Sequence, residues 1–408
     1  PNIEAVLGVV RASIAPADEG PFAVDLDRLQ ELDSLQQGQF RQEHSAVIER
    51  LVNPALEELL TFLEEEYAPA APPEVGVHQY PDGEEYYRYL TRHHTTLDVT
   101  PEQVHEIGIA MVAEMEERMA AIRDEIGFEG SADEFHEMLR TESRFFPDSP
   151  EEVADRLTAA AEDFMTRVDE YFLQTPEAPY GVRRLSADLE GSQTYGYYSP
   201  PTGTEPQGFY NYNASDLRER TWVTLRAISL HELVPGHHFQ LALQYENEDL
   251  PDLRRNTMHT AYVEGWGSYA SMLGLEAGIY DDDPYSRYGL YMLEIFLATR
   301  LVVDPGMNYL GWSLQRAREF MREHTLESDT QIATESLRYS TDMPGQALGY
   351  QMGKRTFLQL RGRAEEALGE DFDLPRFHDA ILGTGSLPMS VLREHVDRYI
   401  ARQIGEVE

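Results

Sequence analysis

The stretch "AISLHELVPGHHFQ" (residues 227–240) decides how this chain is to be read. His231-Glu232 opens like the zinc pattern H-E-x-x-H, but Pro235 stands where the second histidine belongs, and His237 and His238 follow two and three residues later. On a regular helix, histidines at i and i+4 lie nearly above one another, about 6 Å apart, and can share one metal ion. A residue at i+6 points about 240° away, and one at i+7 lies roughly 10 Å along the axis. A continuous helix through this motif would therefore separate the histidines. Pro235 cannot donate to the carbonyl of His231, and Gly236 permits unusual backbone angles. Together they predict a local bulge that absorbs two residues and brings His237 to the ordinary i+4 place. His238 then turns toward substrate or supporting side chains, and it is the alternative second ligand.

A catalytic zinc usually takes three protein ligands. "TAYVEGWGSYAS" (260–271) supplies Glu264, 27 residues past His237, which leaves room for one helix to end and a second to return antiparallel. Small and aromatic neighbours surround this carboxylate, and a buried Glu is costly unless it is paired or metal-bound. The reading is a zinc (Zn2+) site of His231, His237 and Glu264, with Glu232 taking a proton from the attacking water.

Cysteine is absent, so thiolate ligands, thiol nucleophiles and disulfides are excluded and any metal must sit on His, Asp or Glu. The 408 residues carry 73 acidic against 33 basic side chains, a formal charge of −40, and Lys354 is the sole lysine. Such a surface repels nucleic acid and anionic membranes. No apolar run reaches the ~18 residues of a spanning helix. The first residues, "PNIEAVLGVV", lack a basic n-region and a cleavage site, yet they begin without a methionine and say little about compartment; a cytoplasmic protein is the expectation. Oligomeric state is not legible. No phosphate-binding loop, G-x-S-x-G elbow or dinucleotide fingerprint is present.

Most of the chain has helical periodicity. Thr100-Pro101-Glu102-Gln103 is a capping box, followed by apolar residues from Val104 to Ile126 at helical spacing and a stop at Gly127. Ser149-Pro150-Glu151-Glu152 repeats the start signal ahead of an apolar face from Val153 to Phe172. "YAPAAPPEVG" (67–76) reads as a loop or hinge. Between about 180 and 215 the texture turns to Tyr, Gly, Pro and Thr, which predicts a short β-hairpin or meander with a turn near Pro200-Pro201-Thr202-Gly203. The expected organisation is a helical lobe over 1–180, a β-hairpin element over 181–215, and zinc-site and C-terminal helices over 216–408, all within one catalytic domain. Asn211 and Asn213 in "FYNYN" are expected to line an edge strand that pairs with extended substrate.

"HELVPGHHFQ", "YVEGWGSYA" and "RYSTDMPGQALGYQMG" (338–353) together resemble the DUF885 family of bacterial proteins. The resemblance extends to "GVHQYPDGEEYYRYLTRHHTT" (76–96) and "FHDAILGTGSLPMSVLREHV" (377–396), about three-quarters of the chain. It implies a mainly α, zincin-like metallopeptidase architecture, similar to the mostly helical carboxypeptidases, with a small sheet beside a deep cleft. It carries the family's H-E-x-x-P-G-H onto His231, Glu232 and His237, and its E-G-W onto Glu264. Members usually extend further at the N-terminus, so a helical region covering the cleft is expected to be missing or shortened here. In 338–353, Tyr350 or Tyr339 is the expected oxyanion donor and Arg338 the expected partner of a substrate carboxylate. The substrate is expected to be a short peptide or a small amide; a metal-binding protein without turnover is the remaining alternative.

Overall fold

The computed structural model of the chain describes residues 2–72, 74–186, 190 and 195–405. Helices dominate, and a three-stranded sheet interrupts them midway. Internal contacts divide the chain into two units, 1–74 and 75–408, and the division falls inside the proline-rich 67–76 stretch. The first unit is built on helices Asn2–Ser13, Ser34–Val47 and Asn53–Phe62. Its fully buried apolar side chains are few, Leu7, Val10, Leu29 and Ile48 among them, whereas Val9, Leu35 and Leu51 are two-thirds exposed or more.

The second unit holds the large core. Thr100 caps the Pro101–Ile126 helix in a complete capping box with Gln103, and Gly127 ends it in the left-handed region at φ 75°. Ser149 caps Pro150–Met165, which stops before Val168 and Phe172; both are nonetheless buried, reached by a short 3-10 turn rather than by the continuous helix their spacing suggested. Helix Pro284–Asn308 runs through the core, packing on Pro101–Ile126 and Trp222–Glu232. Helix Thr260–Glu276 packs on Trp222–Glu232 and along Leu348–Leu368. Among the described residues, no helix is long and apolar enough to cross a membrane.

The sheet comprises β1 (Tyr180–Arg184), β2 (Gly196–Ser199) and β3 (Gly208–Tyr212) in the order β1-β3-β2. β2 and β3 form the antiparallel hairpin expected around the Pro200–Gly203 turn, with Tyr198 opposite Tyr210. β1 joins in parallel to the other side of β3, a non-local pairing that turn signals do not reveal. β3 is therefore central. The expectation that Asn211 lies on an edge strand is corrected: both edges of β3 are already paired.

Candidate metal centre

Helix Trp222–Glu232 ends inside the motif. Leu233 still donates its N–H to the Ser229 carbonyl at 2.8 Å, but its backbone turns to φ −105°, ψ −103°. Gly236 is also non-helical, and a second helix, His237–Glu246, starts immediately after it. The predicted bulge within one helix is thus replaced by a break between two. Proline removes the N–H that would continue the first helix. A Cβ on Gly236 would lie 1.8 Å from the His231 carbonyl oxygen, so only glycine lets the chain fold back this closely. The Trp266 indole N–H donates to the Pro235 carbonyl at 2.9 Å, binding the break to the E-G-W helix.

The break places His231 in the last turn of one helix and His237 at the first residue of the next. Their rings meet edge to face, centroids 4.7 Å apart. Both Nε2 atoms face one oxygen of Glu264: Oε2 lies 3.6 Å from His231 and 3.3 Å from His237. A tetrahedral zinc with bonds of about 2.0–2.1 Å requires ligand atoms about 3.3–3.4 Å apart, close to both separations. Glu232 also brings a carboxylate oxygen within 4.8 Å of a ligand atom on each histidine. Two carboxylates thus lie in reach of the third place; the Glu264 spacing fits a ligand, and Glu232 stands beside the two histidines. Two imidazoles and a carboxylate, with no thiolate, are a donor set suited to zinc. Both Nδ1 atoms are buried without a hydrogen-bond partner among the described residues. Packing therefore orients the rings: Tyr350 stacks on His231 at 6.1 Å and 18°, and Gly267 lies so close beneath that a Cβ there would meet the ring at 2.8 Å.

The electrostatics separate the two carboxylates. Burial pushes Glu232 up to about 7, with His237 opposing the shift. Burial acts the same way on Glu264, but hydrogen bonds from His231 and His237 outweigh it and hold this carboxyl well below its usual range. Burial lowers His231, whereas for His237 the interaction with Glu264 overcomes burial and raises it.

A cavity of about 340 Å³ opens over these residues, within the usual size of small-molecule sites. Gly196, Tyr197 and Tyr198 of β2 form part of its wall, as do Tyr350, Arg300, Glu335 and Arg338.

A family model described as "Bacterial protein of unknown function (DUF885)" matches residues 1–396. The chain belongs to the DUF885 family. Its fold is similar to a solved structure of a candidate lipoprotein from Colwellia psychrerythraea, at TM-score 0.92 and 29% identity over 98% of this chain and 70% of that one. A candidate lipoprotein of unknown function from Shewanella oneidensis shares the fold at TM-score 0.74 and 19% identity, over 96% of this chain and 72% of that one. No curated protein matches the chain.

In this DUF885 chain the remaining predicted residues divide into two groups. Tyr350 and Arg338 line the cavity; burial pushes the Tyr350 hydroxyl up to about 12, which keeps it a donor at neutral pH. Arg338 holds Gln346 at 2.6 Å and Glu335 at 3.4 Å. Tyr339 is fully buried behind them, its hydroxyl bound to Glu335, so it does not reach the cavity. His238 has both ring nitrogens engaged, Nδ1 with the Tyr198 hydroxyl at 2.8 Å and Nε2 with the Ala178 carbonyl at 3.1 Å. It braces Tyr198 rather than facing a substrate. Asn211 spends its side chain inside the sheet, donating to Ser199 Oγ at 2.8 Å and accepting from Arg183 Nε at 3.0 Å. Asn213 donates to the Glu190 carbonyl at 2.9 Å. For Asn211 the cause is that β3 is interior, so its polar side chain serves the sheet.

The DUF885 cavity also contains residues that motif reading missed. Tyr198 comes from the edge strand β2, and Arg300, 5% exposed, bridges Glu335 at 3.0 Å beneath the Tyr350 ring. The signal for Arg300 was present: Glu294, Arg300 and Asp304 are charged residues in the largely apolar 288–308 stretch, an arrangement that calls for partners.

Proposed function

We propose that this DUF885 protein is a zinc-dependent hydrolase of zincin-like architecture that cleaves amide bonds in short peptides. The observation that carries the reading is the convergence of His231 and His237 Nε2 on Glu264 Oε2, with the Glu232 carboxylate beside them. Zinc, when bound there, supplies a Lewis acid that polarises the scissile carbonyl. Glu232 removes a proton from the attacking water and returns it to the leaving amine. Tyr350 donates to the oxyanion that develops on the carbonyl. Arg338 pairs with a substrate carboxylate. β2, an edge strand among the described residues that borders the cavity, is where an extended peptide pairs, the role first expected of β3. The cavity volume favours peptides of a few residues over folded proteins.

The test combines metal analysis with a panel of short peptides and small non-peptide amides and esters. Glu232→Gln should retain about one zinc per chain and lose about 10²–10⁴-fold in turnover. Hydrolysis confined to the small amides would keep the chemistry and replace the substrate. A chain that binds no zinc when offered it would sink the hydrolase reading, and one that binds zinc yet turns over nothing would leave a metal-binding protein.

A further inference from the structure

A second cavity, of about 270 Å³, adjoins the metal pocket, with Tyr195 lining both. Its lining is cationic in a protein of formal charge −40. Arg140, Arg218 and Arg220 converge on it, and among the described residues none of the three forms an ion pair. Arg220 is only 9% exposed and uses Nε on the Asn213 carbonyl at 3.0 Å, which leaves the other two guanidinium nitrogens uncommitted. The partnering of arginine elsewhere makes this notable: Arg184, Arg226, Arg300 and Arg361 each hold a carboxylate at 3.0 Å or less.

Three further features favour negative charge in the same place. Thr221 and Ser328, the N-caps of helices Trp222–Glu232 and Asp329–Leu337, both line the cavity, so two helix N-termini direct their partial positive charge toward it. Gln331, 4% exposed, also lines it, and its side-chain Nε2 is buried with no partner among the described residues. The one carboxylate in the lining, Glu327, accepts the Tyr195 hydroxyl at 2.9 Å, and burial pushes it up to about 7, so at neutral pH it offsets only part of the positive charge. Apolar side chains complete the lining: Phe146, Val223, Met292 and Leu326.

We infer that this cavity is a binding site, separate from the metal pocket, for a small organic anion: a carboxylate or phosphate held by Arg140, Arg218, Arg220 and Gln331, with an apolar body against Phe146 and Met292. The fork geometry of guanidinium suits either head group. The site does not depend on zinc or on the hydrolase reading.

Isothermal titration of the full chain with 3-phenylpropionate, phenyl phosphate and the neutral 3-phenylpropionamide tests this. The two anions compare the head groups, and the amide isolates the charge. Saturable binding of at least one anion is expected, with the amide about tenfold weaker or more. The Arg140→Gln/Arg218→Gln double variant changes two exposed side chains, which protects folding, and should weaken the anion by about tenfold or more. Arg338→Gln, in the metal pocket, should leave the affinity unchanged. Absence of saturable binding, equal affinity for the amide, or a loss produced by Arg338→Gln and not by the double variant would each overturn the assignment.

Discussion

His237 and His238 adjoin in the chain, yet their rings serve different partners. The first faces Glu264, while the second is held between Tyr198 and the Ala178 carbonyl. His237→Ala should abolish zinc binding, and His238→Gln should keep the metal; elemental analysis of the two variants side by side checks this. Loss of metal in the His238 variant alone would transfer the ligand role to it. Gly267 offers a subtler probe, because a methyl there meets the His231 ring. Gly267→Ala is expected to weaken zinc affinity by about 10–100-fold, the usual cost of disturbing what orients a ligand, measurable by competition with a chelator. The gathering of His231, Glu232, His237 and Glu264 was legible in the sequence because short local patterns mark all four. Tyr198 was not, because it reaches the cavity from a strand remote in the chain, and Arg300 announced a need for partners without showing where they lie. Choosing Tyr350 over Tyr339 required knowing which of two tyrosines on successive helical segments turns outward.

Helix Pro284–Asn308 carries a buried acid that ties three elements together. Asp304 accepts the Tyr87 hydroxyl at 2.7 Å, the Gly345 N–H at 3.0 Å and the Asn308 amide at 2.9 Å. Burial pushes its carboxyl from 3.8 up to about 7. The folded state then holds a proton that the unfolded state releases between these values, so this group's contribution to stability is complete below about pH 4 and is lost as pH rises through about 7. Wild type should gain stability relative to Asp304→Asn as pH is lowered from 8 to 4, seen as a growing gap between their urea midpoints. A gap that does not change with pH would mean that Asp304 titrates normally. At this scale the sequence was read well where caps are local: both capping signals mark true helix starts. It was read less well where the chain resumes after a break. Pro235-Gly236 announces a disruption, but whether the helix bulges or restarts depends also on Trp266, which is remote in the chain. The parallel β1–β3 pairing was hidden for the same reason.

Across the whole molecule the excess of 73 acidic over 33 basic side chains makes self-repulsion a standing cost of compactness. Salt should relieve it: the thermal midpoint is expected to rise by a few degrees between about 10 mM and 500 mM NaCl, where the Debye length falls from about 30 Å to below 8 Å. A midpoint that falls with salt would show instead that favourable ion pairs dominate. The same composition leaves one lysine, and that lysine is inside: Lys354 is 4% exposed and bound to the buried Glu294, whose carboxylate also accepts the Gln351 amide at 2.9 Å. The native chain therefore presents no freely accessible ε-amine to an acylating reagent. Acylation at residue 354 becomes a clock for opening of the Pro284–Asn308 and Leu348–Leu368 pair. Its rate, followed by mass spectrometry as denaturant is added, should track the excursions that break this part of the core, with no engineered label required.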